Sequence, residues 1–128
     1  MQSFYALGGN LMENQLMSMP MVALRGMTIL PEMSVHFDVS RVRSIEAVQK
    51  AMQSEGQKLF LVAQREINIE EPGQEDVFEI GTIATVKQVA KMSKHVIRVL
   101  VVGEQRARLH NIVESYPCLT AKWRKRPE

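Results

Sequence analysis

Hydrophobic and polar side chains alternate along residues 34–39, where Val35, Phe37 and Val39 are the apolar positions. A period of two is typical of a β-strand with one buried and one solvated face. The run Leu59–Ala63 is instead apolar throughout, which predicts a strand buried on both faces. In this interpretation Phe37 and Phe60 belong to the core, whereas His36 faces solvent.

Further strands are predicted at residues 80–90, 96–102, 109–114 and 119–123. The first two of these form a hairpin that turns near Ser93-Lys94. Gly103, directly after the hairpin, predicts a β-bulge or a tight corner. The chain past Met19 is therefore predicted to be mostly β.

The period of the pattern changes to three and four between Ser40 and Gly56, which predicts an amphipathic helix that packs on the sheet. Its expected apolar face consists of Val42, Ile45, Val48 and Met52. Ser40 is the expected N-cap, and Gly56 is expected to end the helix.

Two connecting segments carry turn signals. The apolar run Met21–Leu24 stops at Arg25-Gly26, and Pro31 precedes the alternating strand. Because Gly26 gives the backbone freedom and Pro31 fixes φ, a rigid crossover between two strands is predicted. The second segment, residues 65–79, is a long acidic loop, and loops of that length are commonly functional or mobile.

The predicted elements indicate a mainly β fold with one α-helix (α+β). Six or seven short strands form either two packed sheets or a small, partly closed barrel. The length of 128 residues fits one domain. We divide the chain into an N-terminal tail (1–18), a β-domain (19–116) and a segment with the last strand and a basic linker (117–128).

The net charge of +2 conceals a basic cluster at the C-terminal end, formed by Lys122, Arg124, Lys125 and Arg126 around Trp123. One interpretation is a nucleic-acid contact with phosphate pairing and ring stacking. The other is a solvated strand edge or linker, which the lack of positive charge in the body of the domain favours.

The sequence offers no arrangement of residues typical of catalysis or metal binding. It contains neither a GxxxxGK[ST] phosphate loop nor a G-x-S-x-G nucleophile elbow. His36, His95 and His110 are widely separated, and the single cysteine, Cys118, excludes an internal disulfide and fits a reducing cytosol. No apolar run approaches the ~20 residues of a membrane span. We therefore expect a binding or assembly module without catalytic residues, cofactor or metal.

Five segments in this order and spacing resemble the N-terminal (LON) domain of the ATP-dependent Lon proteases, over about Pro20 to Tyr116. They are Leu24-Arg25-Gly26 with Pro31 and Met33, then Ser40–Val48, Leu61–Arg65, Ile80–Ala84 and Val101–Arg106. The resemblance implies a PUA-like β-barrel with a single helix. It also implies a cytoplasmic, hexameric parent chain, a Ser–Lys endopeptidase whose AAA+ module downstream would use ATP and magnesium.

Two functions follow from these observations. In the first, the domain recognises unfolded or damaged polypeptides and helps to organise the oligomer. Its candidate contacts, whose apolar members could equally cap the barrel, are Met27, Ile29, Leu30, Met33, Arg41 and Arg43. The two arginines oppose the helix dipole at an expected cost of roughly 0.3–1 kcal/mol each, unless Asp38 and Glu46 neutralise them. In the second function, a stand-alone LON or PUA-like domain binds nucleic acid or a small ligand, although few aromatic residues are available for stacking.

Overall fold

The computed structural model describes residues 17–125, which form six strands and one helix. The helix, α1, is Val42–Gln53, and a short 3-10 turn covers Gln74–Asp76. The strands are β1 (Met17–Leu24), β2 (Ser34–Val39), β3 (Lys58–Ala63), β4 (Ile80–Lys91), β5 (Ile97–Glu114) and β6 (Thr120–Lys125). Of the predicted tail, only Met17 and Ser18 lie within the described residues, and both belong to β1.

The six strands form one sheet in the order β2-β5-β4-β3-β1-β6, and an additional β5–β6 pairing closes it. β1 runs parallel to β3, and the other pairs are antiparallel. The first part of β5 pairs with β2 and its last part with β6, so the predicted strand 109–114 is a continuation of β5. The predicted class, mainly β with one helix, is confirmed, although a single closed sheet takes the place of two packed sheets.

Closure of the sheet creates two hydrophobic clusters on opposite faces of β1 and β3. Met21 and Phe60 point into a cluster inside the ring of strands, which also holds Trp123. Val22 and Leu59 belong to the other cluster, which lies beneath α1. The alternation follows from the period-two geometry of a strand, and it confirms the prediction that Leu59–Ala63 is covered on both faces.

The helix begins later than the sequence predicts, and its predicted apolar face is confirmed in part: Val48 is buried, and Ile45 and Met52 are partly buried against the core, whereas Val42 is not. Arg41, with extended backbone angles, holds the N-cap position without a side-chain cap, so the assignment of Ser40 as N-cap is wrong. Val42 is 73% exposed. The buried face instead centres on Ala47, Val48 and Ala51, because small side chains let the helix approach the sheet closely. Gly56 lies in the turn that follows the helix, with φ of +84°.

The crossover, residues 25–33, is fixed to the sheet at three points. Gly26 adopts a left-handed conformation, with φ of +72°, which uses the backbone freedom of a glycine. The Thr82 hydroxyl donates a hydrogen bond of 2.6 Å to the Ile29 carbonyl. Gly103 accepts a backbone hydrogen bond from the Glu32 N–H at 2.8 Å and donates one to the Met33 carbonyl at 2.9 Å. The β4–β5 register shifts beside Gly103, which confirms the predicted bulge.

The acidic loop is also anchored to the sheet. Gln64 forms an isolated bridge with Val77, and its side-chain amide donates to the carbonyls of Glu66 and Ile69, both at 3.0 Å. Gln74 accepts a hydrogen bond from the Ile112 N–H of β5 at 2.7 Å. Within residues 17–125, no helix is long and apolar enough to cross a membrane.

Candidate functional site

An open groove lies between the crossover, the end of β3 and the beginning of β4, with a volume of about 440 Å³. Leu24, Ile29 and Leu61 line it from the cluster beneath α1, and Val62 lines it from the cluster inside the ring. The floor of the groove is therefore the junction of the two hydrophobic clusters, and these four side chains are only 1–4% exposed there. We call it the crossover groove.

Phe78 and Arg65 form one wall of the crossover groove. Phe78 is 44% exposed, although it is a large apolar side chain. The Arg65 guanidinium lies 4.7 Å from the centroid of the Phe78 ring, and its Nε donates to the Val77 carbonyl at 3.1 Å. The stacked cation holds the ring in place, so the groove has a pre-oriented aromatic wall.

Arg106 of β5 lies at the same groove and is half-buried. Its Nε atom is buried and has no hydrogen-bond partner among the described residues. Glu79, which also lines the groove, pairs with Arg108 at 2.8 Å, and Glu104, two residues before Arg106 in β5, contacts Lys58 and Thr85. The groove thus combines apolar walls with a guanidinium whose Nε has no partner among the described residues.

A second cleft of about 500 Å³ separates the beginning of α1 from the acidic loop. Arg41 donates to the Ala23 carbonyl at 2.6 Å and to the Glu70 carbonyl at 3.1 Å. Arg43 forms an ion pair with Glu71 at 3.0 Å, and Arg25 forms one with Glu70 at 3.2 Å. Burial and the neighbouring Arg25 lower the pKa of Arg41. The arginines at the helix start therefore fasten the loop.

Asp38 and Glu46, the alternative partners that the sequence offered for Arg41 and Arg43, form no ion pair with them within residues 17–125. Asp38 pairs instead with Arg98 on the neighbouring strand, at 2.8 Å and 3.2 Å. The actual partners, Glu70 and Glu71, are distant in the sequence, and the tertiary fold brings the acidic loop to the helix start.

The structure separates the candidate contact residues predicted from the sequence. Ile29 is 2% exposed and is a core residue, which lies in the floor of the crossover groove and offers a partner little surface. Met27 is half-buried and shares a small cavity of about 150 Å³ with Arg41. Leu30 and Met33 are exposed and adjacent, since the Leu30 N–H donates to the Met33 Sδ at 3.2 Å. Arg43 lines the second cleft.

The sequence did not indicate that Phe78, Arg65 and Arg106 contribute to one site. Phe78 could have been identified, because it is a large apolar residue inside an acidic loop. Arg106 was named only within the segment Val101–Arg106 that carries the resemblance.

The basic C-terminal cluster offers no stacking platform within the described residues. Trp123 is only 6% exposed and packs inside the ring of strands. Lys122 and Arg124 are half-buried, and Arg126 lies outside the described residues. Base stacking requires an exposed aromatic face, so the indole cannot supply the contact that the nucleic-acid interpretation needs.

The ionisable groups with possible ligand chemistry are dispersed. In residues 17–125 no group of three His, Cys, Asp or Glu side chains could hold a metal ion. His36, His95 and His110 are exposed. Cys118 is a buried free thiol, and burial raises its pKa.

Comparison with known proteins identifies the family. Residues 18–128 match the family described as the ATP-dependent protease La (LON) substrate-binding domain. The chain is 45% identical over 104 residues to the Lon protease of Lachnoclostridium phytofermentans, and 40% identical over 101 residues to Lon protease 1 of Bacillus subtilis. These alignments cover 81% and 77% of this chain but only 13% of each relative.

The fold matches a solved structure, the N-terminal domain of Mycobacterium avium complex Lon protease, with a TM-score of 0.71 and 24% identity. That match covers 88% of this chain and 56% of the other. A second match, the Lon N-terminal domain protein from Xanthomonas campestris, has a TM-score of 0.61 and 15% identity, over 84% of this chain and 59% of the other. Taken with the sequence matches, these findings show that the chain belongs to the family of LON substrate-binding domains.

Proposed function

We propose that this chain is the N-terminal domain of a Lon-type protease and captures unfolded or damaged polypeptides in the crossover groove. The parent would be a hexameric, cytoplasmic Ser–Lys endopeptidase. ATP and magnesium would be used by its downstream module, and the domain itself would need no cofactor. The domain would present polypeptide to the downstream module and help to organise the oligomer.

The observation that carries this proposal is an open apolar groove on the surface of a well-packed domain. Unfolded proteins expose apolar side chains that a folded protein buries, and such side chains gain free energy on entering an apolar groove. Exposed Phe78 lies at its wall. Leu30 and Met33 are also exposed. They belong to the crossover but lie outside the lining of the groove.

Arg41 and Arg43 have an indirect role in this proposal. Both are engaged by the acidic loop, and that loop carries Phe78. They would position the aromatic wall and would not contact the polypeptide.

Binding at one such groove is expected to be weak, about micromolar to millimolar, because ordering a flexible ligand offsets much of the gain. Several copies in one oligomer would raise the apparent affinity through effective concentration. Weak individual sites also allow release to a downstream module.

A backbone-amide NMR titration with a chemically unfolded protein tests this function. We expect shifts at residues 26–33 and 78–82, with little dependence on salt, and no shifts with the same protein in its folded form. Phe78→Ser should weaken binding severalfold. Met92→Ser, which removes a similarly exposed side chain at the β4–β5 turn, should leave it unchanged. Shifts confined to Lys122–Lys125, with a steep salt dependence on adding nucleic acid, would favour the alternative nucleic-acid function.

A further inference from the structure

The Nε donor of Arg106 lacks a hydrogen-bond partner at the wall of an apolar groove. Arg106 as a whole is half-buried, but its Nε is buried and unpaired among residues 17–125. Leaving a buried donor unpaired is unfavourable. An acceptor that a ligand brings to this guanidinium would remove that penalty.

The other polar groups of the groove do not satisfy Arg106. The Thr82 hydroxyl donates to Ile29, and the Glu79 carboxylate pairs with Arg108. Arg65 adds a second guanidinium, whose Nε bonds to Val77. Thr28, the remaining polar side chain, carries no charge. The lining therefore has an excess of positive charge, which is complementary to an anionic ligand.

We infer that the crossover groove binds the free C-terminal carboxylate of a polypeptide that ends in an apolar residue, with Arg106 as the carboxylate ligand. This inference rests on the proposed function and names the part of the polypeptide that is recognised. Guanidinium and carboxylate form paired, charge-assisted hydrogen bonds. The apolar side chain of the same terminal residue contacts the Phe78 wall.

A chain terminus fits this site better than an internal acidic residue. A terminal residue carries its apolar side chain and its carboxylate on one α-carbon. It can therefore contact the Phe78 ring and the Arg106 guanidinium at the same time. An internal Asp or Glu brings two flanking chain segments with it. The groove of about 440 Å³ lies toward the small end of ligand pockets, which span about 300–1,000 Å³, and it suits a single chain end.

Fluorescence anisotropy with a labelled peptide, Gly-Ser-Gly-Ala-Leu-Leu, tests this inference on the 128-residue chain. The peptide is prepared as the free acid, as the C-terminal amide, and as an amide with an internal Glu that restores the net charge. We expect the free acid to bind about tenfold or more tightly than either amide, since a hydrogen bond to a charged group contributes about 1.5–3 kcal/mol.

Two variants of Arg106 test whether its guanidinium causes the difference in affinity between the free acid and the amide. Arg106→Gln should remove the difference between acid and amide, and Arg106→Lys should retain part of it. Arg98→Gln is the matched control, because Arg98 is an exposed arginine of the same strand that pairs with Asp38, and it should leave the difference intact. Circular dichroism confirms that each variant is folded, and the acid–amide comparison on the unmodified chain does not depend on any variant.

Equal binding of acid and amide by the unmodified chain overturns the inference. So does equal binding of the acid and the internal-Glu amide, an undiminished difference in folded Arg106→Gln, or no binding of any peptide. The proposed function is tested separately by unfolded protein whose C-terminus is amidated. If it still shifts residues 78–82, the groove captures polypeptide without reading the chain end. If no form of unfolded protein shifts these residues, the proposed function fails as well.

Discussion

Gly103 shows how one residue positions the crossover. Its two backbone groups bond to residues 32 and 33 of the crossover. A Cβ atom at Gly103 would lie 2.3 Å from the Leu30 carbonyl oxygen. A side chain therefore cannot be accommodated without moving backbone, which explains the glycine by close approach and not by an unusual φ.

Gly103→Ala should lower the free energy of unfolding by about 1–3 kcal/mol, the usual cost of overpacking. Urea denaturation measures this change. Gly73→Ala is the control, because its Cβ would meet only the flexible side chains of Glu75 and Asp76, at 3.5 Å or more, and its cost should stay within about 0.5 kcal/mol. Equal losses in the two variants would contradict the packing argument.

Asp38 gives a residue-level prediction for pH. The hydrogen bond from Arg98 holds the pKa of the Asp38 carboxyl below its ordinary value of 3.8, partial loss of hydration opposes this, and the charge of Arg98 adds to it. A depressed carboxyl pKa contributes stability above the unfolded pKa, and that contribution is lost as pH falls through the folded value. Arg98→Gln should raise the pKa of Asp38 in an NMR titration of the carboxyl between pH 6 and pH 2. An unchanged pKa would show that the ion pair does not form in solution.

Strand β2 is the element whose pattern in the sequence is clearest. Phe37 lies in the cluster beneath α1, and His36 is exposed on the opposite face. The alternation works because one face of the strand meets the core and the other meets water.

Phe37→Ala should destabilise the domain by ~3–5 kcal/mol, the cost of deleting a buried phenyl group. His36→Ala, one residue away, should cost under ~0.5 kcal/mol. Thermal or urea denaturation of the two variants compares them directly, and similar losses would show that the faces of β2 are wrongly assigned.

The acidic loop is held at the helix start by arginines of unequal burial. Arg41 is half-buried and bonds to two backbone carbonyls. Arg43 and Glu71 form an ion pair whose side chains are 39% and 68% exposed. Exposed ion pairs of this kind contribute little to stability. The hydrogen bonds of Arg41 are therefore the main link between the helix start and the acidic loop.

Arg41→Ala should reduce stability by about 1–3 kcal/mol, because a partly buried carbonyl loses its charged donor. It should also speed amide hydrogen exchange in residues 65–77. Arg43→Ala is the control and should cost under ~1 kcal/mol. If amide exchange in the loop stays slow in Arg41→Ala, the loop is held in place mainly by Gln64 and Gln74.

At the scale of the whole molecule, the candidate site forms where the crossover lies against strands β3, β4 and β5. The long strand β5 bonds to β2 with its first part and to β6 with its last part, so one strand borders both hydrophobic clusters. The crossover passes over the sheet at Thr82 and Gly103, where the two clusters meet. The groove is the opening that this arrangement leaves.

The 128-residue chain by itself should hydrolyse neither ATP nor an unfolded protein such as casein. The sequence encodes no phosphate loop and no nucleophile–base arrangement for these reactions. A magnesium-dependent phosphate-release assay and a gel-based proteolysis assay test both expectations. ATP turnover clearly above a blank would contradict this assignment of a binding module.

The sequence by itself determined the local features of this protein. Alternation fixed the faces of β2, the continuous apolar run fixed the double burial of β3, and Gly103 indicated the bulge, because each depends on the period of a strand or on a few neighbouring residues. Together with the resemblance, these patterns were sufficient for the fold class and the family.

Tertiary structure decided the N-cap, the buried face of α1 and the partners of Arg41 and Arg43, because these depend on the position of the acidic loop. It also decided the composition of the groove: Ile29 is buried, while Phe78 and Arg106, 28 positions apart in the chain, line one opening. The β4–β5 pairing places Arg106 opposite Thr82, four positions after Phe78, and the crossover and the end of β3 reach the same opening only through the tertiary fold, which no local pattern encodes.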